Sequence, residues 1–216
     1  MQDQRKKTGL RELNKQEKLR RIKEAALALF VSKGFDDTTT REIAIKAGVG
    51  MGTVFLYAET KRDLLFLIVN DGLEDCISKA SSAIVPRNSL LQNLLTVLRL
   101  HYEYFAELPV LSRTALREMY FYQSGTQAER FTKTRDRLKS LLTELISEAM
   151  DQRLIQSRET PQLVAQTIFS IYQVHLRVWL SAEPLDIRAG ISQLRRQIEI
   201  VMNGLSPSSS VLHVAE

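Results

Sequence analysis

Thr38-Thr39-Thr40-Arg41-Glu42-Ile43-Ala44-Ile45-Lys46-Ala47-Gly48-Val49-Gly50-Met51-Gly52-Thr53-Val54-Phe55-Leu56-Tyr57 reads as two short helices joined by a glycine turn. Thr39 followed three residues later by Glu42 is a capping box, in which hydroxyl and carboxylate each satisfy a backbone N–H at the helix start. Ile43, Ala44 and Ala47 give the first helix a small apolar face. Gly48 stands where a left-handed residue ends a helix, because it has no Cβ to clash. Val49 plugs the turn, and Gly50 is placed to cap the second helix without a side-chain oxygen. That second helix starts near Met51 and is rich in small residues. A pair of this kind either lays its second helix in the major groove of DNA or serves as an ordinary hairpin in an α-helical core.

Upstream, Ile22, Ala25, Ala26, Leu29 and Phe30 form an amphipathic helix stopped by Gly34 and Phe35. With this helix in place the chain resembles the TetR family of bacterial transcriptional regulators. The resemblance rests on Ile22, Ala25, Ala26, Leu29, Phe30, Gly34, Phe35, Thr38, Thr39, Ile43, Ala44, Ala47, Gly48, Val49, Gly52, Thr53, Lys61 and Leu64, in order and without insertion. Three positions depart from the family pattern. Gly50 replaces a polar cap, Phe55 replaces tyrosine and Ala58 replaces phenylalanine. Phe55 cannot donate to a phosphate, and Leu56 or Phe66 is expected to fill the space that Ala58 leaves.

The resemblance implies a DNA-contacting set: Thr39, Thr40 and Arg41, then Gly50, Met51, Gly52, Thr53, Phe55, Leu56 and Tyr57, then Lys61 at the start of the following helix. Charge agrees with this end of the chain. Residues 1–62 hold 14 Lys and Arg against 8 Asp and Glu, while the remaining residues are close to neutral at −1. Such an excess attracts phosphates without reading sequence.

Nine helices and no strands are expected, an all-α fold. The first runs from Asn14 to about Lys33, and the helix-turn-helix pair covers 40–47 and 51–57. Helices at 60–80, from about 90 to 108, 110–123, 127–152, 161–181 and from about 187 to 203 follow. The expected organisation is a basic flexible arm over 1–14, a three-helix DNA-binding domain over 15–75, a ligand-binding and dimerisation domain over 76–205, and a flexible tail over 206–216.

The eighth helix is apolar nearly all round, so it needs cover on two sides. The ninth carries Ile187, Ile191, Leu194, Ile198, Val201 and Leu205 in steps of four and three, a narrow packing seam. The resemblance implies that these two helices pair with a second copy. Ile171, His175, Val178 and Trp179 join Ile187, Ile191, Leu194, Ile198 and Val201 as the candidate homodimer interface. Two-fold pairing suits a palindromic operator in double-stranded DNA, since one short helix reads few bases.

Aromatic residues gather in the second half. The resemblance implies that the helices there surround an inducer pocket, for which Tyr102, Phe105, Met119, Tyr122, Phe131, Phe169 and Tyr172 are candidates; such a lining would suit an amphipathic or aromatic small molecule, and plain core packing is the alternative for each. The three histidines lack partners at metal spacing, and a single cysteine, Cys76, cannot build a thiolate site. No phosphate-binding glycine loop or nucleophile elbow is present. The sequence therefore argues against an enzyme and calls for no cofactor or metal. No apolar run reaches membrane-spanning length. A lone cysteine fits a reducing bacterial cytoplasm, where a regulator associates with the nucleoid. The expected function is a sequence-specific repressor released from DNA by a small molecule. The alternative is an α-helical small-molecule-binding or scaffold protein without specific DNA recognition.

Overall fold

The computed structural model describes residues 2–204, with side chains from Arg11 onward. The described residues form nine α-helices and a short 3₁₀ turn: α1 (Gln2–Ser32), α2 (Thr40–Ala47), α3 (Met51–Phe55), α4 (Lys61–Ser82), α5 (Leu90–Glu107), α6 (Pro109–Glu118), the 3₁₀ turn Met119–Phe121, α7 (Ala128–Asp151), α8 (Pro161–Leu180) and α9 (Ile187–Asn203). Among the described residues no helix is long and apolar enough to cross a membrane. The expected tail at 206–216 lies outside the described residues.

The helix borders follow local chemistry. Asp186 accepts from the Ala189 N–H at 3.0 Å to start α9, and Thr160 with Pro161 starts α8. Two borders differ from expectation. α1 begins at Gln2, not at Asn14. Residues 2–13 are mostly Gln, Arg, Lys, Glu and Leu, all strong helix formers, so Asn14 is carried inside the helix. The sixth helix was expected to reach 123 but ends at Glu118. The run Tyr120-Phe121-Tyr122 has weak helix preference, and Tyr122 leaves helical geometry (φ −84°, ψ 82°) as its side chain becomes buried.

The chain divides into two compact units that interleave in sequence. The first takes the residues up to Ser78 together with Tyr104–Arg137; the second takes Lys79–Glu103 with the residues from Leu138. The division expected at 75/76 runs along the chain, whereas the end of α5, all of α6 and the start of α7 pack with the first unit. The first core holds Ile22, Phe30, Ile43, Val54, Leu64, Leu65 and Phe66. The second holds Leu94, Leu98, Tyr102, Leu142, Ile146, Ile168, Leu194 and Ile198. Cys76 is buried, as a small core filler.

Candidate nucleic-acid interface

The helix-turn-helix head is fixed by polar contacts that each follow from a local requirement. The Thr39 hydroxyl accepts from the Glu42 N–H at 3.2 Å, and the Thr39 N–H donates to Glu42 Oε2 at 2.8 Å. That reciprocal pair starts α2 after an extended Thr39 backbone. The Lys33 ammonium at 2.6 Å, then the Thr39 N–H and hydroxyl, hold the Glu42 carboxylate down to a pKa of about 2. At the other end Gly48 adopts φ 61°, and its N–H satisfies α2 carbonyls. Arg21 of α1 donates to the Gly48 carbonyl at 2.9 Å. The left-handed backbone is what calls for glycine here; a Cβ would lie 2.2 Å from that guanidinium, which would have to swing aside. Thr38 is buried and donates to the Gly34 carbonyl at 2.6 Å, closing the connection from α1.

α3 is anchored by Val54, which is fully buried, while its remaining side chains point outward or sit half-exposed. Leu56 is 76% exposed and Phe55 48%. Leu56 therefore does not fill the space beside Ala58; Phe66 is the buried residue of the two candidates. Gly50 and Gly52 have no atom within 4 Å of where a Cβ would stand. Nothing inside the chain demands the bare backbone at these two positions.

Not every expected contact residue faces outward freely. The Tyr57 hydroxyl donates to the Lys15 carbonyl at 3.2 Å, tying the end of the motif to α1. Lys61 donates to the Asp36 carbonyl at 2.8 Å and lies 4.6 Å over the Phe35 ring. Arg41 is exposed, and so is Met51 in part. Ile45, unassigned by sequence, is 70% exposed on α2. Its position outside the Ile43, Ala44, Ala47 stripe was the available signal.

Further contacts inside the first unit hold α4 and α6 to the head. Asp63 is buried at the start of α4, accepting from the Thr60 and Glu59 N–H groups at 3.0 and 3.2 Å. It also accepts a short hydrogen bond from the Tyr122 hydroxyl. Burial first, then the Asp63 carboxylate, push the Tyr122 phenol far above its ordinary pKa, so it stays a donor. Phe66 stacks on Tyr122 with ring centres 4.1 Å apart, and Phe131 lies 4.9 Å from Phe66. Arg117 of α6 pairs with Asp36 at 2.9 Å, and Arg62 with Glu118 at 2.8 Å.

The seven expected pocket residues are all buried, but they fall in different units. Phe105, Met119, Tyr122 and Phe131 belong to the first. Tyr102, Phe169 and Tyr172 belong to the second, where Tyr172 lies within 6.2 Å, ring centre to ring centre, of both Tyr102 and Phe169. The Tyr102 hydroxyl and His175 Nδ1 are 2.5 Å apart. Two cavities in the second unit, of about 380 and 570 Å³, are lined by none of the seven.

The expected dimer residues also separate. Leu194 and Ile198 are fully buried in the second unit's own core. Trp179 donates to the Asp186 carbonyl at 2.8 Å and packs so closely on Gly190 that a Cβ there would lie 2.6 Å from its ring. These three serve intrachain packing: the four-and-three spacing marks the stripe that α9 turns inward. Ile187, Ile191 and Val201 are half-buried. The outward apolar groove of about 570 Å³ runs instead between Ile171, Val174, His175 and Val178 of α8 and Gln193, Gln197, Ile200 and Val201 of α9. Val174 and Val178 are 64% and 62% exposed there. Val174 was legible only as part of an eighth helix apolar nearly all round, and Ile200 was missed because it lies beside the inward stripe of α9.

Known proteins resemble this arrangement along most of its length. Residues 22–68 match the model of the bacterial regulatory proteins of the tetR family. The fatty acid metabolism regulator protein of Bacillus subtilis is 23% identical over 172 residues, which span 77% of this chain and 85% of that one. The solved FadR of Thermus thermophilus, a TetR-family repressor in complex with lauroyl-CoA, superposes with a TM-score of 0.66 at 20% identity, covering 91% of this chain and 100% of its own. FadR of Bacillus subtilis, in complex with stearoyl-CoA, gives 0.66 at 20% identity over 86% of this chain and 98% of its own. With its capped α2, glycine turn and outward α3 inside the matched stretch, residues 22–68 carry the DNA-binding domain of the tetR family of bacterial regulatory proteins, and the chain as a whole is similar to transcriptional regulators of that kind.

Proposed function

We propose that the chain acts as a homodimeric repressor in the bacterial cytoplasm, holding a palindromic operator and leaving it when a small amphipathic molecule binds. The observation that carries this reading is the head itself: α3 and the following Leu56 present Met51, Gly52, Thr53, Phe55 and Leu56 outward while Val54, Arg21 and Tyr57 lock the motif to α1 and the core. Helix-turn-helix units contact base edges with the early part of this helix. Arg41 and Lys46, both exposed on α2, with Lys15 and Lys18 of α1, supply phosphate attraction beside it.

The groove between α8 and α9 is where a second copy docks in this reading. It is apolar along Val174, Val178 and Ile200, with Gln193 and Gln197 able to hydrogen-bond across a two-fold axis. The ligand class to test first is a long-chain acyl-CoA, because the regulators of Bacillus subtilis and Thermus thermophilus hold stearoyl-CoA and lauroyl-CoA. α4 begins in the head at Lys61 and continues to Ser82. Release requires the ligand to bind the DNA-free state more tightly than the DNA-bound one.

The test titrates duplexes selected from a random library, and unselected duplexes, against the protein across a salt series. Both affinities should fall with salt, while the selected duplex stays on the order of 1000-fold tighter or better. Lauroyl-CoA should then release it. A ratio near one at every salt concentration contradicts sequence-specific recognition, and a complex insensitive to acyl-CoA contradicts that ligand class.

A further inference from the structure

We infer that the second helix of the motif reads its part of the operator through thymine C5-methyl groups, with Leu56 and Phe55 as its specificity-determining side chains. The inference rests on the proposed DNA-binding role of α3. From Gly48 to Ala58 the chain contains no Arg, Lys, Asn, Gln, Asp or Glu. Those are the side chains that make paired hydrogen bonds to guanine, adenine or cytosine edges in the major groove. Two hydroxyls remain in the stretch. That of Tyr57 already donates to the Lys15 carbonyl, which leaves Thr53. Paired hydrogen-bond readout is therefore closed to this helix.

The outward surface is apolar instead. Leu56 and Phe55 are exposed, and Met51 and Thr53, which ends in a methyl group as well as a hydroxyl, are half-exposed. In the major groove the one apolar group that distinguishes a base pair is the thymine methyl. Gly50 and Gly52 supply an independent observation. Their Cβ positions open onto empty space, so packing within the chain explains neither; Gly50 also serves as the N-cap of α3, while Gly52 lies within the helix, where glycine is disfavoured. Bare backbone there lets α3 approach the floor of the groove closely enough for short apolar side chains to touch methyl groups. A long Arg or Lys reaches base edges from a distance; Leu and Phe do not.

The experiment uses the full-length protein and the duplex enriched from a random library. Each thymine in a half-site is replaced in turn by deoxyuridine, which removes the methyl and keeps the hydrogen-bonding edge. At one or more positions affinity should fall by about fourfold per methyl lost, the worth of one buried methyl-sized group. Leu56→Ala, at a position so exposed that folding is unaffected, should bring the thymine-to-uridine ratio at one of those positions to one; Phe55→Ala should do so at another. Equal binding of thymine and uridine duplexes, with selected sequences still preferred over random ones, overturns methyl readout and leaves DNA recognition standing. If no sequence is preferred over random, methyl readout and the proposed DNA-binding role fall together.

Discussion

The reading head and the α8–α9 face both present apolar side chains to solvent, and they do so in opposite ways. On the head, Leu56 and Phe55 stand beside two glycines and near exposed Arg41 and Lys46, on a helix of five residues. On the other face, Val174, Val178 and Ile200 line a groove between two long helices, with glutamines for neighbours. A surface with bare backbone and flanking cations suits a thin, charged partner with narrow apolar features. A wide apolar groove with uncharged polar neighbours suits a second copy of itself. Exposed apolar area alone is uninformative; what surrounds it separates the two roles.

The largest effect expected from this contrast comes from placing a charge in the groove. Val178→Asp buries an unpaired carboxylate if a second copy docks there. Sedimentation should show monomers, and operator affinity should drop by on the order of 100-fold, since both half-sites no longer bind together. A dimeric Val178→Asp protein with normal DNA binding would remove the groove from the account.

Acid should separate the two regions next. Burial holds the His101 imidazole, which hydrogen-bonds the Val97 carbonyl and meets the Tyr172 ring, down to a pKa of about 4. The unfolded chain binds this proton from pH 6.5 downward, the folded chain only near 4. Stability in the second unit is therefore lost as pH falls from about 6.5 towards 4, by up to about 3 kcal/mol. Glu42 in the head has its carboxylate pKa lowered from 4.5 to about 2, so the stability it gives is lost only as pH falls through that lower window. Hydrogen exchange at pH 5 should show α5 and α8 opening before α2, and His101→Gln should flatten the difference.

Gly52→Ala should push stability and function in opposite directions. Space for the Cβ is open, so alanine raises the helix's stability by up to about 1 kcal/mol. The same methyl stands between α3 and the groove floor, and operator affinity should fall about tenfold. Melting and DNA titration on one preparation check both signs. The smallest contrast lies at the α2 cap. Thr39→Ala should cost about 1 kcal/mol, while Lys33→Met, which removes an exposed, solvent-screened ion pair to the same Glu42, should cost clearly less.

The head was largely legible in the sequence because its instructions are local. Thr39 with Glu42, Gly48 after Ala47, and Thr60 with Asp63 each specify a helix end within four residues. The positions that needed the structure depend on distant partners. Tyr57 read as a DNA contact, yet its hydroxyl finds a carbonyl 42 residues away. The seam on α9 was visible as a stripe, but periodicity gives the stripe without saying which neighbour covers it. Leu194 and Ile198 go to the chain's own core, and the outward face is shared between stripes on two helices, one of them half glutamine. The aromatic residues were harder still, because burial looks the same in sequence whether a ring lines a cavity or packs on another ring.

The most direct test of the central claim is selection of bound duplexes from a random DNA library by the full-length protein. The account predicts one enriched motif, an inverted repeat with thymines in each half-site and centres about one helical turn apart, roughly 34–36 Å, or a multiple of it. Enrichment of no motif, or of a single unrepeated site, would contradict recognition by paired α3 helices.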